Sequence, residues 1–191
     1  MRFWAQAQPH QHVIRPLSVE KVTVWCAIGR RGIIGPYFFE DERGRSVTVN
    51  TDRYVEMLRR KFIPALRRKQ GVNMNNVIYQ QDGAPPHCSN VSLDFLNEYF
   101  PGDRLISRRT NNPWPAYSPD LSPADYFLWG YLKERVYYNN PQTIKALKTN
   151  IRQEIRRIPL EMCGNVITNF NVRVAAVIHR RGAWIEHVIN Y

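Results

Sequence analysis

The sequence predicts a mixed α/β domain built around a central sheet. Short β-rich apolar runs come first and recur between helical segments. In the longer segments apolar residues return every three or four positions, as on one face of a helix. Gly, Pro, Asn and Asp punctuate the boundaries. The 191 residues suffice for one buried core, and a hydrophobic content of 43% argues against wholesale disorder.

Residues 1–20 are polar, with scattered Pro and His, and read as an irregular lead-in. They have no apolar segment of the kind a secretory signal needs. Val22 to Ile28 is a β-rich run, Gly29-Arg30-Arg31-Gly32 has turn chemistry, and Ile33 to Phe39 is a second apolar run, so the three read as a hairpin. Asp41 to Gly44 makes a further turn and Ser46 to Asn50 a third short strand. A helix follows over about residues 51–69. Its apolar stripe is Tyr54, Leu58, Phe62 and Leu66, and Pro64 should bend or interrupt it.

Val77 to Gln81 reads as a short strand that Asp82-Gly83-Ala84-Pro85-Pro86 ends in a loop. Residues 89–100 form a helix closed by Pro101-Gly102, and Arg104 to Arg108 a further strand. Residues 109–121, with Pro113, Trp114, Pro115 and Tyr117, form an ordered loop. Ser122 then caps a helix with Pro123 at its first position, and Asn140-Pro141 opens the next in the same way. The latter has the stripe Ile144, Leu147, Ile151, Ile155 and Ile158. A last helix over about residues 160–180 carries Met162, Val166, Phe170, Val174 and Val177.

The net charge is +11, from 27 Lys and Arg against 16 Asp and Glu. Such an excess favours a polyanionic partner, with DNA or RNA first, and the bland alternative is a merely soluble basic protein; no small-molecule substrate is expected. No stretch approaches the roughly 20 apolar residues that span a membrane. Cys26, Cys88 and Cys163 are far apart, odd in number and without metal-ligand spacing, which disfavours a disulfide framework or a zinc site and fits an intracellular setting.

Two acids stand where chemistry could occur. Asp82 ends a strand and enters a Gly-Pro loop, where a rigid element would hold a carboxylate open to solvent for metal-assisted phosphoryl transfer. Taken alone it is better explained as a turn aspartate, since Asp-Gly is a common turn pair. Asp125 lies in the first turn of a helix. There it either completes a capping box with Ser122 or aims a hard oxygen ligand at the sheet edge. An Asx-type turn explains Asp120, and Asp103 reads as solvated. His87 is a local hydrogen-bond partner or a residue near the metal or DNA. Arg59, Arg60, Lys61, Arg67, Arg68 and Lys69 either follow a phosphate backbone or form a solvated helix face.

At these motifs the sequence resembles the mariner-type transposases, in their DDE catalytic domain. The resemblance rests on Gln80-Gln81-Asp82-Gly83-Ala84-Pro85-Pro86-His87 and on the run from Tyr117 through Ser122-Pro123-Ala124-Asp125 to Gly130. Val24-Trp25-Cys26, Gly35-Pro36-Tyr37-Phe38-Phe39 and Asn140-Pro141-Gln142-Thr143-Ile144 are similar as well. It implies a ribonuclease H-like mixed sheet flanked by helices, two divalent metal ions (Mg2+ or Mn2+) held by three acids, and DNA cleavage and strand transfer. Carried over, Asp82 is the second acid and Asp125 the third, both catalytic and metal-binding. Their spacing is wider than in the best-known members, with the excess in the Arg108-to-Pro115 loop.

The family's first acid sits on a strand upstream of the hairpin. Residues 1–20 hold only Glu20 as an acid, so that central strand is expected to be missing. Residues 21–191 then read as a partial DDE transposase catalytic domain, nuclear, with DNA as partner and a homodimer as candidate assembly. The expectation is a fragment inactive on its own. The alternative is a non-catalytic, domesticated DNA-binding or interaction protein. In the implied fold Val22–Ile28 should stand on one side of the missing strand and Val77–Gln81 on the other.

Overall fold

The structure, a computed structural model, describes residues 21–185, so the reading of residues 1–20 lies outside the described residues. Strands β1 (Val24–Gly29) and β2 (Gly32–Phe38) form the expected antiparallel hairpin, which shifts register between Trp25 and Ala27. Gly35 sits opposite that shift at φ +118, where a Cβ would meet the Trp25 carbonyl at 2.9 Å. Only glycine fits both the backbone angle and the close approach.

The hairpin's alternation decides the layering. Trp25, Ala27, Ile34 and Tyr37 pack into one core, while Val24, Cys26, Ile28, Ile33 and Phe38 pack into another. Two cores on opposite faces of a strand pair follow from the period-two geometry of a strand.

The first core is closed by helices α1 (Thr51–Met57), α2 (Ile63–Arg68) and α3 (Asn90–Tyr99). Tyr54, Leu58, Phe62 and Leu66, the stripe predicted for one helix, are all buried in it. Between α1 and α2 the chain widens into a π-helical turn, Leu58–Phe62. Pro64 explains the widening: its nitrogen has no proton for the usual bond to the preceding turn, and its ring crowds that turn. The helix is thus adjusted at Pro64 without being broken.

The second core is closed by α4 (Trp129–Arg135), α5 (Ile144–Arg157) and α6 (Leu160–His179). Leu147, Ile151, Ile155 and Ile158 supply the buried face of α5, as their spacing predicts. Its cap is Thr143, whose hydroxyl accepts from the Ala146 amide at 3.1 Å, three residues beyond the predicted Asn140-Pro141 start. No helix among the described residues is long and apolar enough to cross a membrane.

The remaining strands, β3 (Tyr79–Gln80), β4 (Leu105–Ser107) and β5 (Asn112–Pro113), form a separate parallel sheet in that order. β5 corrects the reading of residues 109–121 as loop alone. Ser46–Asn50 is not a strand, since only an isolated Glu40–Ser46 bridge forms there. The two sheets are not hydrogen-bonded to each other. An aromatic chain spans them instead: Trp25 of β1 meets Phe62 edge-on at 5.1 Å, and Phe62 meets Tyr79 of β3 at 5.3 Å.

Candidate metal centre

Asp82 follows β3, and its placement begins in the buried layer beneath it. Tyr54 of α1, Tyr79 and Gln81 are all buried. The Tyr54 hydroxyl donates to Gln81 Oε1 at 2.6 Å and lies 2.9 Å from the Tyr79 hydroxyl. Gln81 Nε2 donates to the His87 carbonyl at 2.8 Å and to Ser107 Oγ of β4 at 3.0 Å. The Gln81 amide also extends the ladder to Ile106 at 3.1 Å. Gln81 therefore joins the end of β3 to the far side of the Asp82–His87 loop, and fixes where Asp82 emerges.

Above that layer Asp82 Oδ1 accepts from the Ala84 amide at 3.1 Å and lies 2.5 Å from His87 Nδ1. With the carboxylate ionised, Nδ1 is the donor. The His87 ring packs on Tyr54 at 4.4 Å. The His87 hydrogen bond, above all, holds the Asp82 carboxyl below the ordinary aspartate range, and the Ala84 amide assists against partial burial. The Asp82 side chain is 49% exposed. The structure thus joins His87 to Asp82, the local-partner reading.

Asp125 enters from the opposite direction. The chain runs through a 3-10 turn at Pro119–Leu121 and then into a π-helical turn, Ala124–Leu128, that leads to α4. The Ser122 carbonyl accepts from both the Asp125 and Tyr126 amides at 2.9 Å, so Ser122 starts the helix as predicted, although that first turn is π-helical. Partial burial raises the Asp125 carboxyl above the ordinary range. A hydrogen bond with the Ser122 side chain opposes the rise, and the charge of Asp82 adds to it. A side-chain-to-backbone bond ties the two segments together: Gln80 Nε2 donates to the Leu121 carbonyl at 3.0 Å.

Asp103 is exposed, as expected. Asp120 corrects its reading as a simple turn residue: it is 5% exposed and paired with the buried Arg173 of α6. The basic helix face is only partly available to a ligand. Arg59 lies over Phe95 and Arg67 over Tyr99, both at 5.2 Å, and Arg60 pairs with Glu56 at 2.5 Å. In the sequence Tyr54 reads only as a core residue and Gln81 only as part of a motif, and neither Ser107 nor Arg173 stands out. The polar pair Gln80-Gln81 at the end of a strand that begins Val77-Ile78-Tyr79 was the one local signal.

No family model matches the chain. Among curated proteins it is 30% identical over 115 residues to the Tc3 transposable element transposase of Caenorhabditis elegans, and 35% identical over 126 residues to the mariner Mos1 transposase of Drosophila mauritiana. The chain is similar in sequence to these two transposases. The two matches take in 59% and 64% of this chain but 31% and 33% of the relatives, so the chain spans about a third of their length.

Solved structures agree on the fold. A Mos1 transposase paired-end complex with left transposon end superposes with a TM-score of 0.76 at 22% identity, covering 97% of this chain and 51% of that chain. The Mos1 catalytic domain with raltegravir and Mn gives 0.69 at 21% identity, covering 86% and 83%. This chain therefore has the ribonuclease H-like fold of the Mos1 catalytic domain, with the strands of the described residues in two small sheets.

Proposed function

We propose that this chain is part of a transposase catalytic domain, in which Asp82 and Asp125 are catalytic carboxylates that hold a divalent metal beside DNA. The observation that carries the reading is the electrostatic coupling of two acids that arrive on different elements and are tied together by the Gln80–Leu121 bond.

The residues suit a hard cation. Both ligands would be carboxylate oxygens on exposed residues, and a divalent ion would offset the partial burial, and after it the Asp82 charge, that make Asp125 costly to ionise. His87 and the Ala84 amide keep Asp82 ionised and orient it. Asp125 gives up its proton more readily once positive charge lies between the two. Magnesium or manganese, when bound, would supply a Lewis acid for the phosphoryl group and an activated oxygen nucleophile. The Mos1 structures solved with Mn and with Mg support this choice of ion.

The +11 charge supports DNA as the partner, held through phosphate contacts without sequence preference. A DNA substrate implies the nucleus, and the likeness to Mos1 paired-end complexes supports a homodimer.

We infer further that the chain alone does not cut DNA. Among the described residues no group of three His, Cys, Asp or Glu side chains is placed to hold a metal ion. The non-catalytic alternative would keep the DNA binding and lose the metal dependence. The test is supercoiled plasmid incubated with purified chain and Mn2+, beside Asp82→Ala, with duplex binding followed against salt. Binding that weakens steeply with salt, without nicking, is expected. Nicking by the parent that disappears in Asp82→Ala would overturn the inactive reading, and salt-independent binding would overturn the phosphate-contact reading.

A further inference from the structure

Asp125 is exposed, so its aim depends on how its turn is held from behind. One anchor is Gln80, already described. The other comes from α6. Arg173, 1% exposed, donates from Nε to the Asp120 carbonyl at 2.5 Å, and its Nη2 lies 3.7 Å from Asp120 Oδ1. Asp120 Oδ2 accepts from the Ile185 amide at 3.0 Å, beyond the end of α6. The same guanidinium lies over the ring of Tyr126 at 4.2 Å. The Tyr126 hydroxyl in turn donates to the Val166 carbonyl at 2.8 Å. Val166 and Arg173 stand two turns apart on α6 and so share one face.

Asp120 precedes Asp125 and Tyr126 follows it, so a single buried side chain grips the turn on both sides of the acid. A buried ion pair is a poor device for stability, since well-packed apolar residues often do as well. Its value lies in directional bonding, because the planar guanidinium fork fixes the angle and distance of what it binds.

We propose that Arg173 is a positioning residue for Asp125, holding the 120–126 turn so that the Asp125 carboxylate faces Asp82. The consequence for metal binding rests on the function proposed above, whereas the positioning itself does not. Arg173→Met keeps the apolar stem and removes the fork, and Arg173→Lys keeps the charge alone. The double variant Asp120→Leu/Arg173→Met replaces the pair with apolar groups.

The experiment uses the full chain, with amide hydrogen exchange over residues 119–128 and Mn2+ affinity measured side by side. Arg173→Met and Arg173→Lys are expected to speed exchange there, leave the β1–β2 hairpin unchanged, and weaken Mn2+ binding roughly tenfold or more, as loss of support behind a ligand does. The double variant should exceed Arg173→Met in denaturation midpoint, because no unpaired buried carboxylate remains, yet fall short of the parent, because the Ile185 amide loses its acceptor, and it should not regain Mn2+ affinity. Unchanged exchange at residues 119–128 in Arg173→Lys, the variant most apt to fold, overturns the proposal whatever the metal does. Faster exchange with parental Mn2+ affinity also overturns it. A parent that binds no Mn2+ refutes the metal site instead, and exchange alone then decides the role of Arg173.

Discussion

Gln80 Nε2 donates to the carbonyl of Leu121 at 3.0 Å, joining positions 41 residues apart in the chain. Asp82 lies just past the first of these residues and Asp125 just past the second. The bond therefore sets the spacing between two segments that each carry an acid, and neither segment could set that spacing by its local conformation.

The coupling of the two acids can be measured directly. Burial raises the Asp125 carboxyl and the charge of Asp82 raises it further, whereas the His87 hydrogen bond lowers Asp82. Carboxyl-carbon NMR should show Asp82 titrating below 3.8 and Asp125 above it. In Asp82→Asn the Asp125 midpoint should fall, because a neighbouring negative charge has gone. An Asp125 midpoint indifferent to that substitution would mean that the acids do not sense each other.

The same shifts set a dependence of stability on acid. Asp82 is depressed in the folded state, so its contribution is fully present above the unfolded value and is lost as pH falls through the folded one. Asp125 is raised, so its contribution is present below the unfolded value and is lost as pH rises through the folded one. His87→Gln removes the main cause of the Asp82 shift. It should narrow the drop in stability between about pH 6 and about pH 2. Urea denaturation at both pH values checks this, and an unaltered drop would show that the His87 bond contributes nothing to acid sensitivity.

Beneath Asp82, Tyr54→Phe should destabilise the fold by about 1–3 kcal/mol, since Gln81 Oε1 loses its donor and the Tyr79 hydroxyl its partner in a buried site. The denaturation midpoint measures it. A variant as stable as the parent would show that water replaces the lost hydroxyl. The loop that carries Asp82 should also loosen, because Gln81 holds the His87 carbonyl.

Much of this arrangement was legible in the sequence because it is periodic or local. Alternation through Val24 to Ile28 gives the hairpin its two buried faces, and the stripes of residues 54–66 and 147–158 name the helix faces that cover them. Asp82 and Asp125 stood out through their motifs. What stayed hidden depends on distant partners. Asp120 looks like a turn residue until Arg173 and Ile185 arrive from 53 and 65 positions away. β5 pairs in parallel with β4 over two residues of a proline-rich stretch, too short for any alternation to register. Ser46–Asn50 has strand composition, but beyond the single Glu40–Ser46 bridge it finds no partner, and composition cannot supply one.

The central claim is that Asp82 and Asp125 act as one metal-binding pair, and a double-mutant cycle on Mn2+ affinity tests it most directly. Calorimetry on the parent, Asp82→Asn, Asp125→Asn and the double variant gives the four corners. Each single substitution should cost roughly tenfold or more in affinity, and the double should be scarcely weaker than either single, because one ion has lost the same site. Losses that simply add, or a parent affinity that neither substitution changes, would contradict the account.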